Sequence, residues 1–199
     1  VVNFFTDGTI PTDRIPRAVN SLLPDDITVK AAWEADREFS ARHSATSKTY
    51  LHRIQTGETP NPMTARYAWY IRRPLDVVAM QAALDRIVGT HDFSAFRASG
   101  GAPMSPVRTM YEATIGEERD GLLACRIHGS GFLYHMVRNV IGTIANVGLG
   151  VLTVDDFERI LASRDRQQAS ATAPARGLYL LAVRYDGAKH RSTSSLDLC

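Results

Sequence analysis

The stretch Phe132–Gly142 reads FLYHMVRNVIG, and the interpretation of the whole chain starts from it. Apolar residues recur there and just beyond it at helical spacing, at Leu133, Met136, Val137, Val140, Ile141, Ile144 and Val147. This spacing predicts a helix over residues 133–147 with one face turned to the core. Arg138 lies inside the run, on the flank that it shares with Tyr134 and Gly142.

Because Arg138 lies so close to an apolar stripe and a guanidinium cannot lose its charge at any ordinary pH, its side chain needs a hydrogen-bond acceptor. Two interpretations are open at this point. In the first, the long side chain runs along the helix and carries its charge out to water. In the second, the guanidinium is positioned to meet a carboxylate or a phosphate.

Composition and charge describe an ordinary globular chain of 199 residues, with 44% hydrophobic and 22% charged residues and a net charge of +2. A mildly basic chain is compatible with nucleic-acid binding, although this charge alone does not indicate it. Two cysteines are too few for a disulfide framework, and Cys125 is predicted to be a small core residue. No stretch has the length of a membrane span and no signal-peptide pattern is present, so a cytoplasmic protein without a membrane partner is expected.

Strand and helix patterns alternate along the chain, with hairpin signals between several strands, among them a hairpin candidate whose turn lies at residues 118–121. Thr153 is predicted to cap the helix that follows it. We predict strands over residues 1–5, 27–36, 48–55, 67–71, 108–117, 122–128 and 178–185, helices over 12–22, 76–88, 133–147 and 154–162, and a polar tail over 189–199. This order favours an α+β fold with a mixed, mostly antiparallel sheet and helices packed on it.

Familiar catalytic motifs are missing: the sequence has no glycine-rich phosphate loop, no HExxH, no CxxC and no GxSxG. The six histidines are scattered, and none pairs with another at a spacing of four residues. A zinc site is therefore not expected. Taken alone, these residues indicate a domain without metal or cofactor whose activity they do not specify.

Five motifs, in order along nearly the whole chain, resemble those of the tRNA pseudouridine synthase A family. They are NSLLPDDI over residues 20–27, FSARHSATSKTY over 39–50, HDFSAF over 91–96, FLYHMVRNVIG over 132–142 and APARGLYL over 173–180. The resemblance implies the pseudouridine synthase fold, built from ferredoxin- or RRM-like halves, the second of which is complete here. It further implies an isomerase that converts uridine to pseudouridine in the anticodon stem-loop of tRNA, without a cofactor, and a homodimer.

Members of that family use an aspartate nucleophile in a GRTDxGVHA motif upstream of a strand whose end Val1–Phe4 resembles, and this motif does not occur in the chain. We therefore expect an N-terminally truncated member that is inactive alone. The expected domains are a remnant of the N-terminal half over 1–36, a C-terminal catalytic half over 37–188 and a flexible tail over 189–199.

Carried over residue by residue, the resemblance implies catalytic roles for Tyr50 and Arg138. Tyr50 matches an active-site tyrosine whose ring stacks on the extruded uracil while its hydroxyl reaches for a proton. Arg138 matches the arginine that pairs with the catalytic aspartate, so without that aspartate we expect it to turn to solvent, an ion or another chain.

The resemblance also implies a substrate-binding role for Leu178, which matches an apolar residue lining the uracil pocket. Arg42, His43 and Lys48 lie near the site in sequence and are predicted to meet tRNA phosphates. The sequence departs from the family pattern at Ser40, where histidine is usual, and at His43 and His52, where aromatic residues are usual.

An alternative from another class is a non-catalytic RNA-binding or dimerisation domain. A pure binding module has no need for both Tyr50 and Arg138, and this pair favours the enzyme. A small-molecule-binding ferredoxin-like domain is a third alternative, but no motif in the sequence supports it.

Overall fold

The computed structural model describes residues 1–186, and the predicted tail over 189–199 lies outside them. The predicted α+β class is confirmed. In the described residues the strands are β1 (Ala45–Thr56), β2 (Trp69–Ile71), β3 (Gly89–Asp92), β4 (Val107–Arg119), β5 (Leu122–Gly129) and β6 (Leu178–Tyr185). The α-helices of the same part of the chain are α1 (Ile15–Asn20), α2 (Val77–Asp85), α3 (Met136–Gly148) and α4 (Val154–Ser163), with short 3-10 turns at Thr12–Arg14 and Ser94–Phe96.

The six strands form one mixed, mostly antiparallel sheet in the order β2-β1-β5-β4-β3, and β6 also pairs with β1. Strand β1 runs antiparallel to β5 over the whole register from Lys48 opposite Gly129 to Gln55 opposite Leu122. On its other edge, the end of β1 pairs in parallel with the short β2. Strand β1 is therefore central, and side chains on it are fixed by neighbours on both sides.

The predicted hairpin between β4 and β5 is confirmed, and its two-residue turn places Arg119 opposite Leu122. Asp120 and Gly121 both have positive φ, 35° and 73°, which is typical of the two-residue turns that match the twist of paired strands. An Asp-Gly pair fits this turn because both residues tolerate left-handed backbone.

The core lies between one face of the sheet and the three longer helices. Ile54 from β1, Ile127 from β5 and Ile144 from α3 are essentially inaccessible to water. Cys125 belongs to the same core, as predicted, and burial raises the pKa of its thiol to about 12. It is therefore a packed apolar residue and not a reactive one.

The helices begin where the sequence supplies caps. The Asp76 side chain accepts a hydrogen bond from the Ala79 amide at the start of α2. Thr153 and Asp156 form a reciprocal capping box at the start of α4, which confirms the predicted cap.

The chain divides into two compact units, Thr46–Arg184 and a smaller one made of Val1–Ala45 and the chain from Tyr185 on. Every member of the apolar core lies in the larger unit. In the smaller unit the Asn20 side chain bonds both backbone groups of Val29, and the Tyr185 hydroxyl donates to the Ala41 carbonyl. No residue of 1–44 is buried.

Two predicted strands are wrong: residues 1–5 and 27–36 do not form strands. A strand exists only through hydrogen bonds to a neighbouring strand, and these residues have none among the described part of the chain. The helix predicted over 12–22 is also shorter, since its first turn is a 3-10 turn and α1 itself has six residues.

Candidate active site

Tyr50 lies in the middle of β1, on the sheet face that packs against the helices. It pairs with Ile127 across the sheet, and its ring meets Phe132 edge to face, with 4.9 Å between the ring centroids. The side chain is half-buried, and this burial raises the pKa of the phenol above its ordinary value. Tyr50 therefore keeps its proton at neutral pH and presents a protonated hydroxyl.

Helix α3 begins at Met136, three residues later than predicted, because His135 adopts left-handed backbone with φ 56° and ψ 8°. The predicted apolar stripe is confirmed, since Met136, Val140 and Ile144 are fully buried. Arg138 lies in the first turn of this helix, half-buried at the edge of the stripe.

Arg138 is held by the backbone of the segment that precedes β6. Its Nε donates to the Ala173 carbonyl at 2.6 Å, and the Ala173 amide donates back to the Arg138 carbonyl at 3.0 Å. Nη1 lies 3.3 Å from Nε2 of His135. A carbonyl within the fold therefore takes one donor of Arg138, and the expectation that the side chain turns to solvent, an ion or another chain stays a prediction for its remaining donors.

No ion pair in residues 1–186 includes Arg138, so its charge has no carboxylate partner there. The hydrogen bonds found for the side chain involve Nε and Nη1, and Nη2 has no partner among the described residues. The neutral groups around this half-buried guanidinium compensate its charge only in part. Its free donors can therefore bind an anion.

His52 was not singled out from the sequence as a member of the site, yet it lies beside Arg138. It is completely buried, two residues after Tyr50 on the same face of β1. Its Nε2 lies 3.1 Å from the Pro174 carbonyl, one residue from the carbonyl that holds Arg138. Burial lowers the pKa of His52, and the Arg138 charge lowers it further. The ring is therefore neutral, with the Nε2 proton donated to Pro174.

The segment before β6 approaches β1 closely at Gly177, where a side chain would not fit. Its φ is +99°, and a Cβ there would lie 2.7 Å from the Arg53 carbonyl oxygen and 3.1 Å from the Trp69 nitrogen. Only glycine fits such a position without strain. Leu178 follows directly, half-buried and packed against the core at the start of β6.

The structure thus brings three of the predicted residues to one region. Tyr50 shares a face of β1 with His52, and His52 and Arg138 contact the neighbouring carbonyls of Pro174 and Ala173. Leu178 joins them through Gly177, next to the His52 ring. The signal that would have found His52 is its place between Tyr50 and Ile54 on one strand face.

The three residues predicted to contact tRNA phosphates are not all brought to the region of Tyr50 and Arg138. Lys48 is half-buried on β1, on the same face as Tyr50. Arg42 and His43 are exposed in a turn of the smaller unit, where the His43 amide donates to the Ser40 hydroxyl.

No cluster of metal-ligating side chains occurs within residues 1–186. In the same part of the chain, no helix has the length and apolar character needed to span a membrane.

Comparison with known proteins gives a consistent result. A family model described as tRNA pseudouridine synthase matches residues 83–186. A protein of Thermoanaerobacter sp. (strain X514), named tRNA pseudouridine synthase A, is 43% identical over 185 residues, which cover 93% of this chain and 75% of that protein. Proteins with the same name from Bacillus velezensis and Bacillus subtilis (strain 168) are 45% and 44% identical over 186 residues, covering 94% of this chain and 75% of each relative.

Proposed function

Because this chain belongs to the tRNA pseudouridine synthase family, we propose that it forms the part of an anticodon stem-loop pseudouridine synthase that holds the uracil and the catalytic carboxylate. The isomerase class and the tRNA substrate follow from the family. The anticodon stem-loop as the modified region and the roles of individual residues are the proposal.

One observation carries the proposal: Arg138 is half-buried, it has donors to spare, and no carboxylate of residues 1–186 pairs with it. A guanidinium in this state stabilises an ionised carboxylate that approaches it, because the pair forms charge-assisted hydrogen bonds away from water. In the proposed enzyme that carboxylate is the aspartate of the family motif, which the chain does not contain.

The reaction is an isomerisation in which electrons and atoms balance within the substrate. The C1′–N1 bond breaks with its electron pair going to the uracil, and the aspartate carboxylate forms a bond to C1′. The uracil turns over, C5 bonds to C1′ and the carboxylate is released. The C5 proton is lost and N1 gains a proton.

Tyr50 serves both binding and proton transfer in this scheme. Its ring, braced edge to face by Phe132, offers a face on which an extruded uracil can stack. Its phenol is protonated at neutral pH. The hydroxyl therefore accepts the C5 proton only while it passes its own proton to water, which is a relay and not simple base catalysis.

Leu178 lines the apolar side of the uracil pocket, and Arg42, His43 and Lys48 bind tRNA phosphates in the proposal. Association of two copies is part of it too. This part of the proposal rests on the family resemblance of the sequence. We place the protein in the cytoplasm as part of the same proposal.

The experiment is tritium release from tRNA labelled at uracil C5. Two proteins are compared: the 199 residues alone, and an extended enzyme in which the family's aspartate motif and its half-domain are joined upstream. We expect release only from the extended enzyme. Release by the 199 residues alone would overturn the role given to Arg138, because another carboxylate would then act. Silence from both, with retained tRNA binding, would favour a non-catalytic RNA-binding domain.

A further inference from the structure

His135 has a backbone conformation that helix capping does not explain. It stands immediately before α3 with φ 56° and ψ 8°, and its side chain makes no capping hydrogen bond. Non-glycine residues adopt left-handed backbone at a cost, although histidine is among those that tolerate it. Such strain persists only where the surrounding structure holds it in place, and it concentrates at functional sites.

The His135 ring lies between two side chains of its own segment. Tyr134 stacks on it, with 4.0 Å between the centroids and 20° between the planes. On its polar edge, Nε2 lies 3.3 Å from Nη1 of Arg138. A guanidinium has only donors, so this contact requires Nε2 to be the acceptor and places the ring proton on Nδ1.

Tyr134 is fixed in turn by the loop around Gly101. Its carbonyl accepts a hydrogen bond from the Ala98 amide at 3.1 Å. The loop is so close that a Cβ at Gly101 would lie 2.8 Å from the Tyr134 Cβ. The loop therefore holds the backbone and Cβ of Tyr134, from which the ring extends to stack on His135.

We propose that His135 is a positioning residue for Arg138, and this inference rests on the proposed function of Arg138. The Ala173 carbonyl holds Nε and the His135 Nε2 holds Nη1, so the guanidinium is fixed on two sides. Its plane is then set before a carboxylate arrives at the outer edge, where Nη2 and the second hydrogen of Nη1 remain. Preorganisation of this kind lowers the cost of forming a bidentate pair.

The contact itself is tested by NMR on the 199-residue chain, without any activity. We expect the ¹⁵N shifts of His135 at neutral pH to show the tautomer with the proton on Nδ1. In His135→Gly, which keeps the left-handed backbone without strain, we expect the Arg138 side-chain N–H signals to broaden while the backbone spectrum of the core is retained. A proton on Nε2, or Arg138 signals unchanged in His135→Gly, would overturn the proposal.

The consequence is tested by the kinetics of the extended enzyme. We expect His135→Gly to lower kcat about tenfold with KM for tRNA nearly unchanged, as for an interaction that acts in the transition state. His135→Gln restores an acceptor of similar reach, and we expect it to recover most of kcat. A purely structural role would not be rescued in this way, and full kcat in His135→Gly would overturn the proposal. If the extended wild-type enzyme is silent, the proposed function fails, and the NMR experiment still decides whether His135 holds Arg138.

Discussion

At Arg138, geometry matters as much as charge. One donor is committed to the Ala173 carbonyl and one to His135, which leaves the outer edge of a planar fork for a carboxylate. Lysine carries the same charge as a point and cannot make both kinds of contact. We therefore expect Arg138→Lys in the extended enzyme to lose about a hundredfold in kcat, measured by tritium release, with an unchanged circular dichroism spectrum. Arg86→Lys, at a surface pair with Glu158, is the matched control and keeps full activity. An Arg138→Lys enzyme as active as that control would contradict the bidentate role.

The buried His52 imidazole is expected to make the free energy of unfolding depend on pH near neutrality. Its folded-state pKa lies below the unfolded value of 6.5, chiefly because of burial. The unfolded chain thus binds the proton more readily, so the stabilisation is complete above pH 6.5 and is lost as the pH falls below it. In His52→Phe we expect the decrease of the unfolding free energy between about pH 7.5 and pH 5 to be much smaller, measured by urea unfolding.

Some pH dependence will remain in that variant, because burial also lowers the pKa of His128. The matched control is His43→Gln, at an exposed histidine, which should keep the wild-type slope. Equal slopes for His52→Phe and the wild type would show that His52 is not the group responsible.

At the scale of the element, the close approach of β1 and the segment before β6 requires a residue without a Cβ at position 177. A Cβ at Gly177 would lie 2.7 Å from the Arg53 carbonyl oxygen, on backbone with φ +99°. We expect Gly177→Ala to destabilise the fold by about 2 kcal/mol in urea unfolding, since both strain and the clash oppose it. Gly116→Ala is the control in β4, where a Cβ would meet nothing within 4 Å, and its change should stay within about 0.5 kcal/mol. Similar values for the two variants would contradict the close approach.

The elements that local patterns define were predicted well. The apolar stripe of α3, the Thr153 cap of α4 and the Asp120-Gly121 turn each need only neighbours in sequence, and all three are confirmed. The strand predicted over 27–36 failed because alternation alone cannot supply a partner strand. The late start of α3 was missed because nothing in the pattern shows that His135 takes left-handed backbone.

In the candidate site, too, the parts set by local sequence were predicted and the parts that need distant partners were not. Tyr50, Arg138 and Leu178 could be named from motifs, whereas the carbonyls that hold the site could not. Ala173 meets Arg138 across 35 residues, and Pro174 meets His52 across 122. Contacts of that separation depend on the sheet topology, and periodicity or spacing within one segment carries no information about them.

At the scale of the whole molecule, we expect residues 1–36 to contribute little to the free energy of unfolding. All of the apolar core lies within the larger unit, and residues 1–44 contain no buried side chain. Residues from 37 onward include two contacts of Tyr185, a ring contact with Phe39 at 5.2 Å and a hydrogen bond to the Ala41 carbonyl at 2.8 Å. We propose that residues 1–36 belong to the N-terminal half of the family fold and that the catalytic half extends over 37–188.

A chain of residues 37–199 should therefore unfold in urea as cooperatively as the 199-residue chain, with a free energy of unfolding within about 1 kcal/mol of it. This deletion removes the hydrogen bond from the Ala41 amide to the Asn3 side chain, at 2.8 Å and exposed, and the backbone bond from the Phe39 amide to the Asp36 carbonyl, at 2.9 Å. A chain starting at residue 46 is the comparison, because it also removes Phe39, Ala41 and the first residue of β1. It should be less stable than the 37–199 chain, since Tyr185 then loses both contacts. A broad, non-cooperative transition for 37–199 would place the boundary elsewhere, because residues 1–36 would then be part of the folding unit that holds Tyr50 and Arg138.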